Sequence, residues 1–258
     1  MARPKLLDLF SGIGGFSLGL ERAGFETVAF CEVKPYARRV LAQQFPGVPI
    51  YGDINHLTAS RLAADGIAVD AICGGFPCQD ISPVGTRLGI GGLRSGLWSE
   101  YARLVRELRP RYVIVENSAD LLRRGLGDVL GDLSECGYDA EWSVFSACRM
   151  GAPHARDRVF LVAYPNGERE EASRSKGDGH DAAPHGRRVR PEHIHPAALA
   201  IGRTVWTAPA SEPDVARVAD GVSDRVDRND ALGNAVVPQI PELIGRAILA
   251  AERARQAA

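Results

Sequence analysis

A chain of 258 residues, 45% hydrophobic and 24% charged, is long enough for one sizeable core with a smaller appended module. Its formal net charge of -1 excludes a generally basic nucleic-acid coat, so any contact with nucleic acid must rest on local positive charge. The five cysteines (Cys31, Cys73, Cys78, Cys136, Cys148) are scattered, odd in number and lack a C-x-x-C pair, which argues against a disulfide framework or a cysteine-rich zinc site and for a reducing compartment.

Short apolar runs alternate with longer helical patterns from the start. Residues 5–10 read as a strand, 14–23 as a helix, 27–31 as a strand and 35–44 as a helix ending before Pro46. A short strand at 48–51 leads to Gly52-Asp53, followed by a helix at 57–64 and a fourth strand at 69–73, closed by a Gly74-Gly75 turn. Residues 97–108 are helical, and RYVIV at 111–115 has the continuous apolar character of a buried parallel strand. Helical residues at 119–136 and strands at 141–147 and 159–163 follow, so the expectation is a parallel α/β sheet covered on both faces.

The character changes after Pro165. Residues 166–196 are polar and rich in glycine and charge, the span 166–230 reads as a small, loop-rich insert, and a helical stripe of Ile240, Leu243, Ile244, Ala247, Ile248 and Ala251 begins after Pro238. This divides the chain into 1–165, an α/β domain; 166–230, a small insert or second module; and 231–258, a helical segment. No apolar run reaches membrane-spanning length, and Asp8 breaks the apolar part of the amino-terminal MARPKLLDLF. The expectation is a cytoplasmic protein without a signal peptide.

Five features carry chemistry. The glycine turn Phe10-Ser11-Gly12-Ile13-Gly14-Gly15 lets a ligand approach the backbone, yet Ser17 stands where G-x-G-x-x-G needs its third glycine. Glu32 and Asp53 end the second and third strands. Each alone is an ordinary strand-end carboxylate, but with the loop they suit a ribose- and adenine-containing cofactor, S-adenosylmethionine rather than NAD. Pro77-Cys78-Gln79 sets a thiol on a stiff loop beyond the fourth strand, where a thiolate can attack an electron-poor conjugated carbon. Glu116 ends the RYVIV strand, where a half-buried acid would hold its proton more tightly and donate it to a ring nitrogen. Arg156 and Arg158, at i and i+2, can face one pocket and suit a carbonyl oxygen or phosphate. His180, His185, His193 and His195 lack metal-ligand spacing, and no metal site is expected.

These strings, in this order, resemble the DNA cytosine-5 methyltransferases in their short bacterial or phage-like form. DLFSGIGGFSLGLERAGF resembles the cofactor loop, the Glu32 region the ribose acid, Gly52-Asp53-Ile54 the adenine contact and GGFPCQDIS the nucleophile loop. ENS at 116–118 resembles the ENV motif, ARDRVF at 155–160 the paired-arginine motif, and LGNAVVPQI at 232–240 the last block. The sequence departs from the usual pattern at His154, Ser118 and Val84, while the acid and both arginines are kept.

The resemblance implies a Rossmann-like S-adenosylmethionine-dependent methyltransferase fold with a small target-recognition insert. It makes 1–165 the catalytic and cofactor-binding domain, 166–230 the target-recognition region and 231–258 a return to the first domain. It implies that Cys78 attacks C6 of a flipped-out cytosine, that Glu116 protonates N3, and that Arg158 reaches the ring carbonyl while Arg156 helps to fix the thiolate. It lines the cofactor site with Phe10, Gly12, Ile13, Gly14, Glu32, Asp53, Ile54, Pro77, Leu97, Asn234 and Ala235. It makes residues 79–96 a lid over DNA, with Gln79, Ser82 and Arg94 as contacts. The implied partner is double-stranded DNA, with a separately acting cognate restriction endonuclease as a candidate, no membrane and a monomeric state. The implied role is restriction–modification or phage anti-restriction. A tRNA cytosine-5 methyltransferase of the same fold is the first alternative, although its characteristic Cys-Phe-Thr string is missing. A non-catalytic DNA-binding homologue is the second, although this chain keeps Cys78 and Glu116. A NAD-dependent oxidoreductase is a distant third.

Overall fold

The computed structural model describes residues 2–77, 96–150, 156–166, 187–188, 231–232 and 234–257. Cys78, Gln79, Ser82 and Arg94 lie outside the described residues, as does most of the 166–230 region with its four histidines.

The first half alternates strictly: β1 (Lys5–Leu9), α1 (Gly15–Ala23), β2 (Glu26–Cys31), α2 (Pro35–Gln44), β3 (Ile50–Tyr51), a 3-10 turn (Ile54–His56), α3 (Ala59–Ala64) and β4 (Ala71–Gly75). Then come α4 (Leu97–Leu108), β5 (Tyr112–Ser118), α5 (Leu121–Arg124), α6 (Leu126–Glu135), β6 (Tyr138–Ser146), a second 3-10 turn (Ala147–Met150), β7 (Asp157–Pro165), β8 (Arg187–Arg188) and α7 (Gln239–Ala257). The boundaries have local causes. Pro35 opens α2 at a position whose N–H has no intrahelical partner anyway. α4 stops at Arg109, which turns left-handed just before Pro110.

The described strands form one sheet in the order β3-β2-β1-β4-β5-β7-β6-β8. β3, β2, β1, β4 and β5 run parallel. The expectation of a parallel sheet fails beyond β5, because β7 runs antiparallel between β5 and β6. Parallel neighbours need a crossover of a dozen or more residues, and the ten residues between Ser146 and Asp157 cannot supply one. Gly74-Gly75 also departs from expectation. Both belong to β4 rather than to a turn. Arg187 and Arg188, inside the presumed recognition region, pair alongside Glu141 and Trp142 as the last strand of this sheet.

Alternate side chains of each central strand enter two cores. Leu7, Leu9, Ile72, Val113 and Val115 pack against Trp98, Tyr101 and Leu104 of α4 and Val129 and Leu133 of α6. Leu6, Ala71, Ile114 and Phe160 pack against Phe16 and Leu20 of α1 and Ile240, Ile244 and Ile248 of α7. Each such side chain contributes roughly 2 kcal/mol of burial before ordering costs are counted. The carboxyl-terminal helix therefore does close the sheet domain. At its far end the expected stripe gives way: Ala251 is exposed, and the buried group is Glu252, which accepts from the Tyr112 hydroxyl (2.8 Å) and from Arg111. The approach of α7 and its leading segment to α1 is close enough to need glycine. A Cβ on Gly19 would lie 2.2 Å from the Pro238 carbonyl oxygen, and one on Gly15 2.4 Å from that of Val236.

Candidate active site

The strand order reverses between β1 and β4, which opens a crevice at the carboxyl ends of the parallel strands. The glycine loop, Glu32, Asp53 and Pro77 follow those ends, and Glu116 lies among the last residues of β5 on the same side.

The loop after β1 is wound by three left-handed residues, Phe10 (φ 52°), Gly12 (φ 54°) and Gly14 (φ 85°). For Phe10 this conformation costs roughly 1–2 kcal/mol. Hydrogen bonds hold it there. The Ser11 hydroxyl donates to the Asp8 carbonyl (2.6 Å), Ser11 N donates to the Cys31 carbonyl (3.3 Å), and Gly14 N donates to the Ser11 carbonyl (2.9 Å). Glu32, 7% exposed, accepts from Gly12 N (2.7 Å) and Lys34 N (2.8 Å), one through each oxygen. The loop after β1 and the end of β2 are thereby one rigid unit. Each carboxylate oxygen keeps a second lone pair for a hydroxyl donor.

Asp53 is the cap of the following 3-10 turn, accepting from Asn55 N (2.9 Å) and Asn55 Nδ2 (2.7 Å). These bonds hold its exposed carboxyl below the usual range, so it is an acceptor at neutral pH. Ile54 is buried beneath the turn. A Cβ on Gly12 would meet nothing within 4 Å, so the loop faces open space on that side. An open, backbone-lined loop with one buried and one exposed acid fits a nucleoside-bearing cofactor. Sequence reasoning passed over Val33, which follows Glu32 and is 66% exposed, an apolar surface beside that acid.

Glu116 sits on β5 directly across from Gly75 on β4. A Cβ on Gly75 would lie 2.5 Å from Glu116 Oε2, so the glycine makes room for the carboxylate. Arg158 on β7 pairs with it, Nε to Oε1, at 2.9 Å. Burial pushes the Glu116 carboxyl up, and the positive charges of Arg158 and Arg156 only partly offset this. Arg156 is near enough to be felt by both groups, and burial lowers its own proton affinity. The structure therefore brings Glu116, Arg156 and Arg158 together.

The loop leaving β4 is anchored twice before it reaches Cys78. The Phe76 ring packs on Trp98 of α4 with centroids 5.1 Å apart. The Phe76 carbonyl accepts from Asn117 Nδ2 at 3.0 Å, and Asn117 Oδ1 accepts from Ser118 N at 2.8 Å. Asn117 is buried. The sequence reading placed it in the ENS string without giving it a role of its own. Asp8 was also missed. It is wholly buried, accepting from Ser17 N (3.3 Å) and Ser17 Oγ (2.7 Å), so it caps α1 from the neighbouring strand. The signal was a charge inside an apolar strand.

Leu97 opens α4, and Asn234 and Ala235 lie on the segment that the Gly15 contact seats against α1. No group of three metal-ligating side chains occurs among the described residues. No described helix is long and apolar enough to cross a membrane.

The family model described as C-5 cytosine-specific DNA methylase matches residues 4–208. The chain belongs to that family. Type II methyltransferase M2.BsuMI of Bacillus subtilis (strain 168) is 40% identical over 167 residues, covering 62% of this chain and 41% of that protein. Type II methyltransferase M.HhaI of Haemophilus parahaemolyticus is 32% identical over 166 residues, covering 63% and 49%. The chain thus spans less than half the length of either curated relative. A candidate DNA modification methyltransferase from an E. coli prophage superposes with a TM-score of 0.54 at 28% identity, covering 63% of this chain and 47% of that one. Entamoeba histolytica EhMeth covers 96% and 98% with a TM-score of 0.60 at 13% identity, which shows a shared fold. The Rossmann-like α/β architecture is therefore that of the C-5 cytosine methylases.

Proposed function

We propose that this chain transfers a methyl group from S-adenosylmethionine to C5 of a flipped-out cytosine in double-stranded DNA. The observation that carries the reading is Glu116. It is buried, holds its proton more tightly than an ordinary glutamate, is fixed by Arg158 and Gly75, and lies across from the strand that leads to Cys78.

In this reading the Cys78 thiolate adds to C6 while the Glu116 proton passes to N3, so the ring's electron pair moves to C5 rather than accumulating on nitrogen. Arg158 faces the ring carbonyl, and Arg156 adds positive charge near the incoming thiolate. The bound cofactor supplies an electrophilic methyl on a sulfonium and leaves as S-adenosylhomocysteine. Loss of the C5 proton to a base then expels the thiolate and restores the ring. Phe10, Gly12, Ile13 and Gly14 take the backbone side of the cofactor, Glu32 the ribose hydroxyls, and Asp53 with Ile54 the adenine. Pro77, Leu97, Asn234 and Ala235 complete that site. Gln79, Ser82 and Arg94 contact DNA, and residues 166–230 select the target. The relatives named Type II methyltransferases support reading the chain as a modification enzyme. A role in restriction–modification, a separately acting endonuclease, a monomeric state and a cytoplasmic location belong to the same proposal.

The test is transfer of label from S-adenosylmethionine to unmethylated genomic DNA and to tRNA, followed by bisulfite sequencing. Label on DNA cytosines in one repeated context supports the reading. Label on tRNA alone keeps the chemistry and overturns the substrate. Label on neither overturns the activity. Cys78→Ser should abolish transfer while keeping cofactor binding, and appreciable turnover would remove Cys78 as nucleophile.

A further inference from the structure

The turn that carries Asp53 and Ile54 is seated on the core by the buried Ile54 and Leu57 side chains, but its main-chain carbonyls need partners from elsewhere. It lies between a two-residue strand and a six-residue helix, and neither is stable alone. Those partners come from α4. Arg103 Nη2 donates to the carbonyls of Ile54 (3.0 Å) and Leu57 (2.8 Å), 49 and 46 residues away in sequence. Arg103 Nε donates to Glu100 Oε2 and Nη1 to Glu107 Oε1, both at 2.7 Å. The other oxygen of Glu107 accepts from Ala59 N at 2.9 Å. Two side chains one helical turn apart therefore grip three main-chain atoms, one at the first residue of the 3-10 turn and two just beyond its end.

An ordinary surface ion pair on a helix would stop at the i,i+4 contact. Here the guanidinium is held by two carboxylates with its fork turned onto another segment. Only a planar, multi-donor group can bridge two carbonyls while keeping both carboxylates. Asp53 caps the gripped turn, so the position of its carboxylate follows from that of the turn.

We propose that Arg103, braced by Glu100 and Glu107, is a positioning residue that sets the affinity of the adenine end of the cofactor site. It touches no reacting atom and works through the turn that carries Asp53 and Ile54. The inference rests on the proposed cofactor reading and adds to it the residue that shapes that side of the pocket.

The experiment is calorimetric binding of S-adenosylhomocysteine and of adenosine to wild type, Arg103→Met, Arg103→Lys and Glu107→Gln, with KM and kcat for methyl transfer. Arg103→Met should weaken both ligands and raise KM for the methyl donor about tenfold, with kcat at saturating donor within about twofold of wild type. Arg103→Lys should recover only a small part, because one ammonium cannot span both carbonyls. Glu107→Gln should show a smaller loss in the same direction. If Arg103→Met does not fold, the Arg103→Lys and Glu107→Gln measurements decide. Normal binding by the folded variants overturns the proposal and leaves the cofactor reading standing. A fall in kcat with unchanged KM also overturns it. Failure of the wild type to bind S-adenosylhomocysteine overturns the cofactor reading and this inference with it.

Discussion

Replacing Gly75 with alanine tests how closely the acid is fitted to its site. The added Cβ would fall 2.5 Å from Glu116 Oε2, a separation that real Cβ contacts do not show, so the carboxylate must move. It has little freedom to do so, since it is 9% exposed and already paired with Arg158 at 2.9 Å. Moving it weakens a charge-assisted hydrogen bond worth about 1.5–3 kcal/mol. Against this, alanine restricts the unfolded chain and returns about 0.4–1 kcal/mol. The net loss is about 1–2 kcal/mol, or roughly 4 °C in melting temperature for a chain of this size. The effect on transfer should be far larger. A displaced general acid forfeits roughly a hundredfold or more in rate. Thermal melts, calorimetric binding of S-adenosylhomocysteine and single-turnover methylation would be measured together. The expected pattern is a small drop in melting temperature, unchanged cofactor affinity and a large loss of rate. Wild-type turnover in Gly75→Ala would refute the argument that Glu116 must stay where Gly75 lets it sit.

Two further substitutions probe the groups found only in the structure. Burial pushes the Asp8 carboxyl from 3.8 up to about 7, against opposing hydrogen bonds from Ser17 and Cys73. Between those values the folded chain keeps a proton that the unfolded chain has lost, so this group's contribution is intact below about pH 4 and lost as pH rises through about 7. Asn cannot ionise, so the stability of Asp8→Asn relative to wild type should rise by up to roughly 4 kcal/mol between about pH 4 and pH 8, read by denaturant titration. A difference independent of pH would refute the assignment. Asn117→Ala removes the hold on the Phe76 carbonyl and should cost about 2 kcal/mol. Its turnover should fall by more than its folded fraction, since Cys78 follows two residues later. A wild-type rate and melting temperature would show that the loop is held by other contacts.

Elements delimited by local chemistry were legible in the sequence. α2 and α4 occupy the expected residues because proline and a left-handed cap punctuate them, and RYVIV is the buried strand its apolar run implied. The pairing of β7 was not legible, since a strand's own side chains do not report the direction of its neighbour. Nor was the role of Gly74-Gly75. Glycine at a strand end looks like a turn until the Leu9 carbonyl and the Glu116 carboxylate are seen 2.4 and 2.5 Å from where their Cβ atoms would be.

The sequence by itself determined the set and order of reactive side chains, because each motif is a short local string whose chemistry belongs to its residue types. That was enough to establish the family and to pick out Glu116, Arg156 and Arg158 as one group. Only the tertiary structure decided how those groups behave. The raised proton affinity of Glu116 comes from burial between β4 and β7, and that of Asp8 from burial that the hydrogen bonds donated by α1 only partly offset. The grip of Arg103 on a turn far away in sequence depends on α4 lying beside it. Proton affinity and positioning depend on what surrounds a group in three dimensions, and those neighbours come from distant parts of the chain.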